Sequence, residues 1–351
     1  MNLLRHIKNL TLTIVAFMGL LTAQAQSVDV VTGLNVPYGL ALNGSELYIA
    51  EMGGNQISKA DISVSSPSAT NVISVHNPLA LLLNGNELYI GQWFPGKISK
   101  VDISISSPSD TDVVTGILPY AFELDGNNLY AVQSSSVSLI NLMDSMASLN
   151  TIISGLSGAR DILLNGNKLY IAESGANKIS QVDLSASTLM TIDIVTGLSN
   201  PSAIALKGNE LYIAEKNTNK ISRIDISSSS PTPTDVVTGL SSPVELLIES
   251  NDLYVVEQAA NKVSKVNLST LSARLPDAIE NSLTLSPNPA TDYLELSGFK
   301  GQLVYSIHDT EGKVVNQGNV SQNQKVVISN LKKGTYFIRS ERSKAIKFIK
   351  R

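Results

Sequence analysis

The chain has 351 residues, with 26 Lys and Arg against 30 Asp and Glu, three His and no Cys. The absence of cysteine excludes disulfide staples, thiol chemistry and thiolate metal sites, so stability must come from packing and strand pairing. Residues 26–280 hold 13 Lys and Arg against 25 Asp and Glu, a net −12, whereas residues 281–351 hold 11 against 5, a net +6. An acidic body with a basic tail excludes nucleic-acid binding by the body, because phosphate contact needs a basic face on the folded surface.

Residues 1–25 read as a secretory signal peptide. Arg5, His6 and Lys8 make a basic start, Thr11 to Leu21 is an apolar run, and Ala23-Gln24-Ala25 supplies small residues before a cut near Gln26. The run is shorter than the about 20 apolar residues that span a bilayer, and no second run follows, so no transmembrane segment is expected after cleavage.

Beyond Gln26 one unit recurs six times. Leu-Tyr places its tyrosine at Tyr48, Tyr89, Tyr130, Tyr170, Tyr212 and Tyr254, always 40 to 42 residues apart. An apolar segment such as "PYGLAL" from Pro37 precedes each copy. A turn joins the two: Asn43-Gly44, Asn84-Gly85, Asp125-Gly126, Asn165-Gly166, Lys207-Gly208 or Glu249-Ser250. Asn-Gly and Asp-Gly tolerate the positive φ of a tight hairpin, so the two segments are antiparallel neighbours. A third segment follows, with Ile57, Ile98, Val137, Ile179, Ile221 and Val263 in register, and then a fourth of the "DVVTGL" type. Four short strands per unit of about 40–45 residues, without helical periodicity, predict an all-β, six-bladed β-propeller over residues 26–276. The stretch Asp29 to Leu34 is a fourth strand set before the first blade, and the sixth blade lacks its own. The N-terminal strand is therefore expected to close the ring, which removes an exposed sheet edge.

The stretch "NPSAIALKGNELYIAEKNTNKISRID", residues 200–225, resembles the NHL-repeat and gluconolactonase-like propellers in its order of proline, Gly turn, "LYIA" and "N-x-I". That resemblance implies the fold; its members include lyases, lactonases and binding modules.

Residues 277–351 predict a small β-sandwich, immunoglobulin-like, with strands at Tyr293, Leu303, Lys325 and Thr335. "LSPNPATDYLEL", "IHDTEGKVV", "ISNLKKGTYFIR" and "KAIKFIKR", in that order, resemble the C-terminal sorting domain of the type IX (Por) secretion system of Bacteroidetes. The resemblance implies passage across both membranes, the type IX machinery as partner of residues 277–351, and a secreted or cell-surface protein.

The loops that gather at one end of the ring present one residue per blade at the same rim position: Tyr38, Leu79, Tyr120, Arg160, Ser202 and Val244. The next positions are Gly39, Ala80, Ala121, Asp161, Ala203 and Glu245, so Asp161 and Glu245 break a rule of small residues, and broken rules mark candidate sites. The resemblance to metal-dependent lactonases implies a Glu two residues before the first blade's proline, where Asn35 stands, and Asn or Asp at later rim positions, which hold neither. No metal site of that kind is expected. Asp161 and Glu245, with Glu123 deeper in its strand, could instead hold a hard cation such as Ca²⁺, or pair with Arg160. His76 is the only imidazole in the ring and reads as a loop residue. Trp93 and Phe94 stand out among small, polar loops and offer stacking area to a sugar, peptide or partner, or pack locally.

The leading expectation is a binding or interaction module for a small molecule, glycan or protein, with Tyr38, His76, Trp93, Phe94, Tyr120, Arg160, Asp161 and Glu245 as candidate contacts and no cofactor. The alternative is a lactonase-like hydrolase or lyase at the channel mouth. The strand-end series Glu51, Gln92, Gln133, Glu173, Glu215 and Glu257 shares an acceptor and not a charge, so it predicts a fastening that binds N–H groups of the following loop.

Overall fold

A computed structural model of the chain describes residues 25–144, 147–269, 284–297, 302–321, 324–340 and 343–351. The expected signal peptide lies outside these residues up to residue 24, as does the expected boundary at residues 276 and 277. The chain divides into two compact units, residues 1–271 and 272–351.

The first unit holds six four-stranded antiparallel sheets among the described residues. Each opens with an inner strand: Pro37–Asn43, Pro78–Asn84, Ala121–Asp125, Ala159–Asn165, Pro201–Lys207 and Pro243–Glu249. These define blades 1 to 6. Each inner strand lies against the next, and that of blade 6 lies against that of blade 1, so the blades form a closed, propeller-like ring. Six apolar clusters sit one at each interface between neighbours; Tyr48, Ile57, Leu88 and Ile90, for example, join blades 1 and 2. The "LYIA" strands are buried at nearly every residue because a neighbouring blade covers each face, which turns alternation into a continuous apolar run. Gly44, Gly85, Gly126, Gly166 and Gly208 take φ near +60° in the hairpins, and Ser250 accepts the same left-handed geometry in blade 6.

Closure runs through the N-terminus. Ser27–Thr32 pairs antiparallel with Lys262–Asn267, from Ser27 opposite Val266 to Thr32 opposite Lys262, and so completes the sixth sheet. Lys262 Nζ reaches Asp29 Oδ1 at 2.5 Å across that seam.

The strand-end acids fasten the repeat, with one correction to the expected partner. Glu51, Glu173, Glu215 and Glu257 accept the backbone N–H of Asn35, Ser157, Ser199 and Ser241 at 2.7–2.9 Å. Those donors sit in the loop that enters the blade, not in the loop that leaves the strand. The entering loop arrives at the same rim as the strand end, so its free N–H is the nearest donor. A second fastening was not expected from the pattern. Asn55, Asn177, Asn219 and Asn261 adopt left-handed φ, and each side-chain Oδ1 accepts an N–H from the next blade's entering loop. The last of these, from Val36 to Asn261, joins blade 1 to blade 6.

The second unit has a three-stranded sheet (Thr284–Ser286, Tyr293–Ser297, Lys325–Val327) and a four-stranded one (Gln302–His308, Val314–Ser321, Gly334–Ser340, Ser343–Lys350). Leu294, Leu296 and Val326 of the first share a core with Ile307, Val320, Ile338 and Phe348 of the second. Three of these strands, Thr284–Ser286, Val314–Ser321 and Ser343–Lys350, go beyond the four expected.

Candidate functional site

A cavity of about 630 Å³ opens at one end of the ring. All six rim positions line it: Tyr38, Leu79, Tyr120, Arg160, Ser202 and Val244. Glu245, Asn200 and the loop residues Met52, Trp93, Lys216 and Asn217 complete the wall. The arrangement follows from the blade geometry. The entering loop and the loop after the second strand emerge at the same end of every sheet, so each blade contributes its rim position, and blades 1, 2 and 5 also contribute residues of the second loop.

The aromatic pair expected at Trp93 and Phe94 is split. Trp93 turns inward, its ring centroid 5.2 Å from that of Tyr120 with the planes tilted by 58°. Phe94 is 67% exposed and does not line the cavity. Contact with Tyr120 of the next blade turns Trp93 in, and Phe94 is left to solvent. His76 is likewise exposed and outside the lining.

Arg160 does not pair with the acids. Its guanidinium carbon stands 4.1 Å from the centroid of the Tyr120 ring, a cation–π stack that holds the side chain along the wall. Lys216, from the short 3-10 turn Lys216–Thr218, donates to Gln258 Oε1 at 3.3 Å. Burial, and then the nearby charge of Arg160, push the Lys216 amine below the usual lysine range.

The two acids that break the small-residue rule do different things. At blade 1 the rule has a plain cause: a Cβ on Gly39 would stand 2.8 Å from Leu81 N and 2.6 Å from Leu79 O of the next inner strand. At blade 4 the equivalent N–H of the next strand, that of Ile204, donates to Asp161 Oδ2 at 2.7 Å, while Ile162 N–H donates to Oδ1 at 2.8 Å. Asp161 is thus buried beneath the cavity and joins blades 4 and 5. Glu245 borders the cavity and accepts the N–H of Leu246 at 3.0 Å. Burial raises all three channel carboxyls: Asp161, Glu245 next to the charge of Asp161, and Glu123, which burial and then Asp161 push up to about 8. Among the described residues no group of three or more His, Asp or Glu is arranged to hold a metal ion.

Within its own small, polar loop Lys216 does not stand out in the sequence. The position after each strand-end acid holds Met52, Trp93, Ser134, Ser174, Lys216 and Gln258. Comparing that column across blades marks Lys216 as the one cation.

Residues 284–351 match the secretion system C-terminal sorting domain family. This tail marks proteins exported by type IX secretion, so the protein is secreted or carried on the cell surface. Among the described residues no helix is long and apolar enough to cross a membrane. No curated protein matches the chain in sequence. In fold the chain is similar to a luciferin-regenerating enzyme, at 13% identity and a TM-score of 0.57 over 69% of this chain and 95% of that one. It is similar to virginiamycin B lyase from Staphylococcus aureus, at 16% identity and a TM-score of 0.54 over 70% and 99%. A PQQ-bound aldose sugar dehydrogenase from Streptomyces coelicolor is also similar, at 14% identity and a TM-score of 0.56 over 69% and 98%. At these identities the likeness is one of fold.

Proposed function

We propose that the chain is a six-bladed, NHL-like propeller of a Bacteroidetes bacterium, exported behind a signal peptide and an immunoglobulin-like sorting domain at residues 277–351, and that it binds a small ligand at its channel mouth. The observation that carries this reading is the cavity itself. It collects the six rim positions, one from each otherwise equivalent blade, into a single wall of unlike side chains. Identical blades built only for stability have no need of Tyr, Arg, Ser and Val at one repeated position.

Binding is favoured over catalysis by the state of the polar groups. Ser202 shares its hydroxyl proton between the carbonyls of Pro243 and Ala214, at 2.8 and 3.2 Å, so it faces no base. The oxygens of Asp161 are taken by backbone N–H groups, which suits an inter-blade fastening better than a Ca²⁺ ligand. One observation keeps a hydrolase or lyase as the second reading: Glu245, a carboxyl held toward its protonated form, faces the cavity and could serve as a general acid.

A thermal-shift screen of the mature chain against sugars, carboxylic acids, lactones and divalent cations tests the first reading, since a ligand of the native state raises Tm. At least one compound should raise Tm in the native chain and fail to do so in Trp93→Ala. A shift that is unchanged in Trp93→Ala places binding elsewhere. Turnover of any such compound that is lost in Glu245→Gln would establish the second reading.

A further inference from the structure

We infer that the ligand is a small ring-bearing anion, a cyclic carboxylate whose charge sits between Arg160 and Lys216 and whose ring rests on Trp93 and Tyr120. This inference rests on the channel mouth being a binding site. It begins from a contrast among the cations of the ring. Lys59, Lys97, Lys100, Lys178, Lys220, Lys262 and Lys265 each meet a carboxylate within 3.1 Å. Lys168, an exposed side chain, and Lys207, which donates to Ser250 O and Asn251 Oδ1, make no ion pair among the described residues, and neither lines the cavity. Arg160 and Lys216, the two cations of the cavity wall, make none there either, although their wall is partly buried. They come from adjacent blades, and each charge acts unfavourably on the other. Two like charges held together in a partly buried wall are an electrostatic cost that a ligand anion offsets.

Both cations are also held in place. Arg160 lies on the Tyr120 ring at 4.1 Å, which leaves the edge of its guanidinium plane free to meet a carboxylate. Lys216 is tethered to Gln258. Binding then orders little that is not already ordered, which preserves affinity. The nearby acids do not cancel the wall's charge. Asp161 lies beneath the cavity with both oxygens on N–H groups, and Glu245, close to it, is held toward its neutral form by burial and by that neighbour. The ring requirement comes from Trp93, which is 37% exposed and meets Tyr120 in a corner of two aromatic planes. A volume of about 630 Å³ lies within the range of small-molecule sites and has room for such a ring.

Calorimetric titration of the full mature chain with benzoate and glucuronate, and with benzamide and glucose as uncharged counterparts, tests the inference. At least one anion should bind about tenfold or more tightly than its counterpart and weaken as salt is raised. Arg160→Gln and Lys216→Gln should each weaken it by about tenfold. Lys178→Gln, whose amine is paired elsewhere, should bind as the native chain does. Equal affinity for charged and uncharged rings, with Trp93→Ala abolishing both, would overturn the anion and leave the channel mouth as the binding site. Failure of both anions to bind overturns the inference; the binding reading falls with it only if the broader screen is also silent. Native affinity in both cation variants would overturn the placement.

Discussion

Asp161 and Glu173 lie on neighbouring strands of the same blade, are buried to 7% and 3% exposure, and are both acids, yet their surroundings differ in kind. Glu173 has a full set of partners: the N–H of Ser157, the hydroxyl of Ser180 at 2.7 Å and the Lys178 amine at 3.4 Å. Asp161 has two backbone N–H groups and no cation. The difference is one of repetition. An acid that recurs in four of six blades has a serine and a basic or amide residue at fixed offsets; the serine hydroxyl donates to it in blades 1 and 4, and a lysine amine stands 3.4 Å from it in blades 4, 5 and 6. An acid that occurs once must use what the backbone offers, and its environment is left unbalanced. Around Asp161 that imbalance extends to Glu245, Glu123, Arg160 and Lys216, which is where the cavity lies.

The largest effect expected is on the ring that both acids depend on. Deleting Val28 to Thr32 removes the strand that pairs with Lys262–Asn267 and reopens a sheet edge. Thermal unfolding should show a large fall in Tm, and an unchanged Tm would mean that the ring closes without the seam. Next in size is Glu173→Ala, which strands the Ser157 N–H and the Ser180 hydroxyl and should cost about 1–3 kcal/mol in chemical denaturation. Glu173→Gln keeps an acceptor and should cost well under that. Equal losses in the two variants would make the charge, and not the acceptor, the fastening.

The channel acids should respond to pH instead. Burial raises the folded-state pKa of Glu123 from 4.5 to about 8 and raises Asp161 and Glu245 as well. Groups shifted upward stabilise the fold below their unfolded pKa and lose that contribution as pH climbs through the folded value. Their share of stability should therefore decline between about pH 4.5 and 8. Comparing Tm at pH 5 and pH 8.5 should show a smaller drop in Glu123→Gln than in the native chain; an identical drop would place the titration elsewhere. The smallest effect belongs to Phe94→Ala. Phe94 is two-thirds exposed and outside the cavity, so both Tm and any ligand response should stay within error. A lost response would bring Phe94 back into the site.

The architecture was legible because it is periodic. The spacing of Tyr48, Tyr89, Tyr130, Tyr170, Tyr212 and Tyr254 carries the blades, and the displaced "DVVTGL" at Asp29 carries the seam. Rim positions were legible for the same reason, since equivalent residues in a closed ring share one radius and one height. What could not be read was direction. Nothing in "GQWFPGK" says that Trp93 turns toward Tyr120 while Phe94 turns to solvent, because that is decided by packing against the next blade. Nor does a run of Glu and Gln say whether the acceptor meets the leaving or the entering loop. Pairing with Arg160 was one of two expectations for Asp161 and Glu245, because ion pairs collect acidic residues; nothing in the sequence shows that Arg160 stacks on Tyr120 instead. Lys216 went unnoticed for the complementary reason: its significance lies in the column across blades and not in its own loop.

The central claim is that function sits where the repeat is broken and not where it is kept. The most direct test is the Tm shift produced by one binding compound in three chains: native, Glu173→Gln and Arg160→Gln. The shift should persist in Glu173→Gln and shrink in Arg160→Gln, as about tenfold weaker binding requires, both chains folding as the native one does. A shift lost in Glu173→Gln and kept in Arg160→Gln would contradict the account.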